Sequence, residues 1–129
     1  MEKSGQKTRD IQFFSVKNNK MLCLHSRAAR DYAKYLEEQS WVTSYEAGEP
    51  LSMELYSHVR TAGIRTAYFQ VQWVSDFLIR FADGRKGIRE LVTPSGLQRK
   101  NIVEKLEFSR RYWSVMDVDE WKIVLLPEK

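Results

Sequence analysis

Two apolar stretches joined by a tight turn, between Trp73 and Val92, constrain the fold of this chain more than any other feature. In WVSDFLIRFADGRKGIRELV, the Asp83-Gly84 pair separates two runs of strand-forming residues and predicts a β-hairpin. Asp76 lies near the start of the first run and Glu90 near the end of the second. Two carboxylates at one edge of a sheet can hold a hard cation such as Mg²⁺ through their oxygens. The stretch therefore predicts a hairpin with a metal site at its edge.

The segments before this hairpin predict a second hairpin, a helix and three strands. Ile11–Val16 and Met21–His25 are short apolar runs around a turn, and Ser26 is a suitable N-cap for the helix that follows. Apolar residues recur there at helical spacing, and we expect the helix to end near Gln39. Three strands are predicted at Trp41–Tyr45, Leu51–Val59 and Arg65–Val71. Gly48 to Pro50 interrupts the chain between the first two.

The segments after the hairpin predict a helix and a last strand. The helix should run from about Leu97 to Val115, and the continuous apolar run Trp121–Leu126 is typical of a strand buried on both faces. The whole order predicts an α/β fold with a central mixed β-sheet flanked by two helices and preceded by an N-terminal β-hairpin.

Length and composition indicate a single domain. The 129 residues suffice for one core, so we expect a flexible polar tail over residues 1–10 and one domain over 11–129. Cys23 is the only cysteine, which predicts neither an internal disulfide nor a thiolate zinc site; its strand position predicts burial. No signal peptide or membrane span is recognisable, so a cytoplasmic protein without a membrane partner is expected.

Several motifs of the chain, taken together, resemble those of one known family. Ser26-Arg27-Ala28-Ala29-Arg30-Asp31-Tyr32 resembles its first-helix motif, and Ser75-Asp76-Phe77-Leu78-Ile79 resembles the opening of its metal-binding strand. Further similar stretches are Glu104-Lys105-Leu106-Glu107, Arg110-Arg111-Tyr112-Trp113 and Trp121-Lys122-Ile123-Val124. With an α-β-β-β-α-β order, the chain resembles the N-terminal catalytic domain of TnsA-like transposon-end endonucleases, in the PD-(D/E)xK nuclease superfamily. The resemblance implies a restriction-endonuclease-like core.

The resemblance also implies an activity and its residues. The family hydrolyses phosphodiester bonds of DNA with Mg²⁺ or Mn²⁺, and Asp76 and Glu90 match its two metal-binding strand acids. Ala29 occupies the position of the family's helix Glu, and Val92 occupies the position of its Lys. Alanine cannot bind a metal ion and valine carries no charge, so the site is incomplete at both positions.

Three interpretations of this incomplete site are open. The chain is a catalytically inactive relative that binds DNA or a protein partner in a phage, satellite or transposon complex. Alternatively, it is active with migrated groups, with Glu37 as the acid or with Lys86, Arg89 or Lys100 as the cation. In the third interpretation, Ala29 is a substitution that silences a catalytic glutamate.

The charge balance is compatible with a polyanionic partner. There are 21 Lys and Arg residues against 17 Asp and Glu, a net charge of +4. Double-stranded DNA is the expected partner, with phosphate contacts from basic residues at Arg60, Arg65, Lys86, Arg89, Arg99 and Lys100. The resemblance further implies a protein partner, such as a transposase or phage subunit, or self-association of the chain. It also implies that the protein is bacterial or is encoded by a phage or another mobile element.

Overall fold

The computed structural model describes residues 10–128, and this part of the chain forms six strands and two α-helices. In chain order these are β1 (Ile11–Ser15), β2 (Lys20–Leu24), α1 (Arg27–Glu37), β3 (Val42–Pro50), β4 (Val74–Phe81), β5 (Lys86–Val92), α2 (Lys100–Ser114) and β6 (Glu120–Leu125). Short 3-10 helices occupy Met53–His58, Thr66–Gln70 and Gly96–Gln98. The predicted flexible tail, residues 1–10, lies outside the described residues except for Asp10.

Four of the strands form a mixed sheet in the order β3-β4-β5-β6. The β3–β4 and β4–β5 pairs are antiparallel, whereas β5 and β6 are parallel and are connected through α2. β1 and β2 form a separate antiparallel hairpin. Gly84 has a φ of +92° in the turn between β4 and β5, a conformation that glycine adopts without strain. The predicted α/β class, mixed sheet, N-terminal hairpin and Asp83-Gly84 turn are therefore confirmed.

Each face of the sheet packs against one of the α-helices. Because side chains alternate along a strand, Phe77 and Ile79 of β4 lie in one core with Leu36 of α1. Leu78 lies in the other core with Phe108 of α2. Burial of each such side chain stabilises the fold by about 1.5–3 kcal/mol. We call these faces the α1 side and the α2 side.

Helix α1 begins and buries its apolar face as the sequence predicts. The Oγ atom of Ser26 accepts a hydrogen bond of 3.0 Å from the backbone N–H of Ala29, which caps the helix. Ala33 and Leu36, one turn apart, are fully buried. Among residues 10–128, neither this helix nor any other is long and apolar enough to cross a membrane.

The last residue of α1, Glu37, fastens the N-terminal hairpin to the rest of the protein. Its Oε2 atom accepts hydrogen bonds of 2.5 Å from Ser15 Oγ and from Tyr45 Oη, and its Oε1 accepts one of 3.2 Å from the N–H of Lys17. Burial alone would raise the pKa of Glu37, but these hydrogen bonds outweigh it and hold the pKa below the ordinary 4.5. With both oxygens engaged, Glu37 serves the fold and is not a substitute metal ligand.

Replacing Glu37 by Gln is expected to lower the free energy of unfolding by about 1–2 kcal/mol at pH 7, because charged acceptors bind hydroxyls more strongly than neutral ones. A lowered folded-state pKa contributes stability that is present above the unfolded pKa and lost as pH falls through the folded one. The difference between wild type and Glu37→Gln should therefore shrink below pH 4.5. Urea denaturation at several pH values measures it, with the exposed Glu38→Gln as control. A pH-independent difference would contradict the role of the charge.

The strands predicted at Leu51–Val59 and Arg65–Val71 are wrong, since both segments contain 3-10 helices. The hydroxyl of Tyr56 donates to the carbonyl of Val71 at 2.8 Å and accepts from the N–H of Trp73 at 3.0 Å. These side-chain bonds satisfy backbone groups that a strand would satisfy in a ladder. Apolar side chains of the segment then pack on the α2 side instead of extending the sheet.

The edge positions of β3 and β6 in the sheet correct two further predictions. β3 continues through Gly48 and ends at Pro50, because an edge strand tolerates proline at its end. β6 is not buried on both faces: it is the other edge strand, and Ile123 and Leu125 are 38% and 59% exposed. A continuous apolar run therefore does not require a central strand.

Candidate active site

β4 and β5 bring Asp76 and Glu90 into one pocket. The last antiparallel pair of these strands is Phe77 with Arg89, so Asp76 and Glu90 are the next residues along each strand, where the ladder ends. Both line a pocket of about 330 Å³, which also contains Lys105 of α2. Glu90 shares a face of β5 with Ile88, which belongs to the core on the α2 side. The pocket therefore opens between the sheet and α2.

Glu90 is buried and held by two serine hydroxyls. Its Oε2 atom accepts hydrogen bonds from Ser75 Oγ at 2.6 Å and from Ser109 Oγ at 2.5 Å. Each serine oxygen in turn accepts an indole N–H, from Trp113 at 2.9 Å and from Trp121 at 3.0 Å. Because each indole can only donate, both hydroxyl protons are directed towards the carboxylate. Side chains from β4, α2 and β6 thus fix the orientation of an acid that is only 3% exposed.

Asp76 is held by the backbone of the neighbouring strand. Its Oδ2 atom accepts a hydrogen bond of 2.7 Å from the N–H of Leu91 on β5. The Asp76 side chain thus accepts a backbone N–H of β5 just beyond the last β4–β5 pair. Asp76 Oδ1 and Glu90 Oε1 accept no hydrogen bond from any residue in the range 10–128, so each acid keeps one oxygen for another partner.

The two acids are costly to ionise in this pocket. Burial raises the pKa of Asp76 above its ordinary 3.8 and that of Glu90 above 4.5. The charge of Asp76 raises the pKa of Glu90 further, while the hydroxyl bonds to Glu90 and the N–H bond to Asp76 lower the respective pKa values. Lys105 lowers both pKa values through its positive charge. A bound cation would relieve the same repulsion, so this pair favours cation binding once it is ionised.

Lys105 is the residue of the pocket that sequence reasoning missed. Its ammonium group lies 5.7 Å from the ring centroid of Trp73, and the residue is half-buried beside the two acids. The signal was present in the spacing: Lys105, Ser109 and Trp113 recur every four residues, which places them on one face of α2. Lys105 thus extends towards the pocket the face of α2 that carries Ser109 and Trp113.

The two positions where the family pattern is broken lie in different environments. Ala29 packs against the core on the α1 side and is not among the residues that line the pocket. Val92 does line it, with a 7% exposed side chain of methyl groups. Neither position contributes a metal ligand or a charge, so the charged groups that line the pocket are Asp76, Glu90, Arg99 and Lys105.

Two of the six basic residues predicted to contact DNA lie at or beside this pocket, and a third lies nearby. Arg99 lines the pocket, and Lys100 follows it as the exposed first residue of α2. Arg65 is exposed next to the same helix and forms an ion pair of 2.9 Å with Glu104. Arg99 and Lys100 thus lie at the opening beside the first turn of α2, whereas Arg65 is paired with Glu104.

The other three predicted DNA contacts lie elsewhere. Arg89 is buried on the α1 side of β5, next to the ring of Phe81, and its Nη2 donates to Glu120 Oε1 at 2.6 Å. Lys86 lies at the opposite end of β5 from Glu90. Arg60 is exposed in the loop after Met53–His58, where its carbonyl accepts from Arg111. Arg89 in particular is unsuited to phosphate contact because its guanidinium is already paired.

The carboxylate oxygens in the pocket are suitable ligands for a small, hard cation. Mg²⁺ binds through one or two carboxylates and keeps several waters, and Asp76 and Glu90 each have one oxygen without a hydrogen bond from residues 10–128. Sulfur and imidazole ligands, which softer metals prefer, do not line this pocket. Comparison of the chain with models of known protein families and with curated proteins gives no match, so its function has to be inferred from this site.

Proposed function

We propose that this protein is a metal-dependent DNA endonuclease of the TnsA-like type that hydrolyses phosphodiester bonds in the pocket of Asp76 and Glu90. The observation that carries the proposal is the meeting of these two acids with Lys105 in one pocket. The order of elements from α1 to β6, with β5 and β6 parallel, is consistent with a restriction-endonuclease-like core.

The two acids would hold Mg²⁺ or Mn²⁺ through Asp76 Oδ1 and Glu90 Oε1. Such an ion, when bound, lowers the pKa of a coordinated water and offsets negative charge on the phosphate. Ser75 and Ser109 contribute by restraining Glu90, since a fixed ligand loses little conformational freedom when the ion binds. The N–H of Leu91 restrains Asp76 in the same way.

Lys105 would take the part that the family assigns to the lysine replaced here by Val92. Its ammonium group carries a positive charge beside the two acids, on the side where α2 borders the pocket. A preorganised positive charge stabilises the negative charge that develops on the phosphate oxygens during hydrolysis. An ammonium can also donate a hydrogen bond that orients the attacking water.

DNA would approach from the side of α2 where Arg99 and Lys100 are exposed. Arg99 lines the pocket, so a phosphate bound to it would lie next to the two acids. Arg65 also borders α2, but its charge is offset by the ion pair with Glu104, so Arg99 and Lys100 would make the main phosphate contacts. Phosphate contacts of this kind position a duplex without reading its sequence, and they weaken as the salt concentration rises.

Cleavage of supercoiled plasmid tests the proposal. Wild-type protein with Mg²⁺ or Mn²⁺ should yield nicked or linear product, and excess chelator should prevent it. Protein with Glu90→Gln, purified in parallel, controls for contaminating nuclease. Metal-independent product, or equal product from both proteins, would refute cleavage by this pocket.

A catalytically inactive module that binds DNA or a protein subunit is the second candidate. It is favoured by Ala29, which packs in the core on the α1 side, and by the apolar Val92 in the pocket. In that case the plasmid stays intact with either metal, while a gel-shift assay with duplex DNA shows binding that weakens with salt. Absence of both cleavage and DNA binding would leave a protein partner, such as a transposase or phage subunit or a second copy of the chain.

A further inference from the structure

The outer face of the β1–β2 hairpin carries three metal-binding side chains that sequence reasoning did not connect. Cys23 and His25 are two residues apart at the end of β2, so they project from the same face. The antiparallel register pairs Ile11 with Leu24 and thereby sets Asp10, one residue earlier, opposite His25. Cys23, predicted to be buried, is exposed on this face. The hairpin thus unites residues that are far apart in sequence.

The distances within this cluster suit a shared ion. One ligand atom from each of Asp10, Cys23 and His25 lies within 4.8 Å of the other two. Asp10 Oδ1 and His25 Nδ1 share a hydrogen bond of 2.9 Å, which a metal ion would replace by a ligand separation of about 3.3 Å in tetrahedral geometry. All three side chains are exposed, so the sulfur can adjust to a metal–sulfur distance of about 2.3 Å without disturbing a core.

The chemistry of the three ligands selects a class of metal different from that of the proposed nuclease pocket. Thiolate and imidazole are ligands of Zn²⁺, Co²⁺ and Ni²⁺, whereas Mg²⁺ prefers oxygen alone. A divalent cation can bind the carboxylate of Asp10 and the deprotonated sulfur of Cys23 together, so metal binding releases a proton. A water molecule would complete a tetrahedral set of four.

We propose that Asp10, Cys23 and His25 form a surface site for a transition-metal ion of the Zn²⁺ class. The site is separate from the pocket of Asp76 and Glu90 and shares no residue with it. It bridges the residue before β1 to the end of β2, so metal binding stabilises the open end of the hairpin. Metal binding at this site does not depend on the proposed nuclease activity.

Titration with Co²⁺ in the absence of thiol reductants tests this site. A thiolate bound to Co²⁺ absorbs in the near ultraviolet, and because Cys23 is the only cysteine, such a band can arise from no other residue. We expect the band to saturate at one Co²⁺ per chain. Zn²⁺ should abolish it, whereas about a hundredfold excess of Mg²⁺ should not.

Three variants make the result specific. Cys23→Ser should remove the band, and His25→Asn should weaken Co²⁺ binding at least about tenfold. Asp76→Asn, in the other pocket, should leave both the band and the affinity unchanged. Because Cys23 and His25 are exposed, their variants should keep the wild-type circular dichroism. No band in the folded wild type, a band unaffected by His25→Asn, or one ion shared by two chains would overturn the proposal.

Discussion

Asp76→Asn is expected to lower the rate of metal-dependent plasmid cleavage by at least about 10³-fold, and Lys105→Met by about 10²–10³-fold. Asparagine keeps an oxygen that can accept the N–H of Leu91, so the fold should survive while the charge that attracts the metal ion is lost. Methionine keeps the length and apolar stem of Lys105 but removes its ammonium group.

The two variants should differ in their affinity for the metal ion. Asp76→Asn loses a ligand and should bind Mg²⁺ more weakly, whereas Lys105→Met loses a repulsive charge and should bind Mg²⁺ at least as tightly as wild type. Calorimetric titration of each variant measures the affinity, and cleavage at saturating metal measures the rate.

Lys86→Met is the matched control for Lys105→Met. Lys86 lies at the other end of β5 and should be dispensable for cleavage. If Lys105→Met cleaves at the wild-type rate when the metal is saturating, Lys105 only balances charge in the folded protein and has no part in the reaction. Equal losses from Lys86→Met and Lys105→Met would indicate a general effect of surface charge on DNA binding.

Ser75→Ala should cost about 2–4 kcal/mol of folding stability, the largest effect that we expect from removal of a single hydroxyl in this protein. It deprives the buried carboxylate of Glu90 of one of its two donors and leaves the indole N–H of Trp113 without its acceptor. Urea denaturation at pH 7 measures the change, and Ser57→Ala, at an exposed serine, should stay within about 0.5 kcal/mol of wild type.

A double-mutant cycle separates the part of this effect that depends on Glu90. In a Glu90→Gln background, Ser75→Ala should cost less than in wild type, because the acceptor is no longer charged. The coupling between the two sites should lie in the range of about 0.5–3 kcal/mol that contacting residues show. Additive losses would mean that Ser75 stabilises the core through Trp113 alone.

The hairpin of β4 and β5 was predictable because its local signals agree. Turn residues at Asp83-Gly84 and strand-forming runs on both sides indicate one structure, and tertiary contacts do not oppose it. The segment from Leu51 to Val71 has apolar residues that suit either a strand or a helix. Its structure depends on the hydroxyls of Tyr56 and Tyr112, whose partners lie far away in sequence.

The candidate site was predictable in its acids but not in its cation. Asp76 and Glu90 belong to the hairpin, so local sequence places them, whereas Lys105 reaches the pocket only through the packing of α2 on the sheet. Adjacent residues of a strand face opposite sides of the sheet. Arg89, next to Glu90, therefore lies on the other face, where it pairs with Glu120. Sequence alone does not show which face of a strand a helix covers.

The tryptophans around Glu90 provide an intrinsic fluorescence signal close to the two acids. Trp113 and Trp121 donate to the two serines that hold this acid, and Trp73 lies beside the ammonium group of Lys105. Three of the four tryptophans thus contact Lys105 or a serine that holds Glu90. A cation that binds to the two acids should therefore change tryptophan emission, and its binding can be followed by intrinsic fluorescence without any added label.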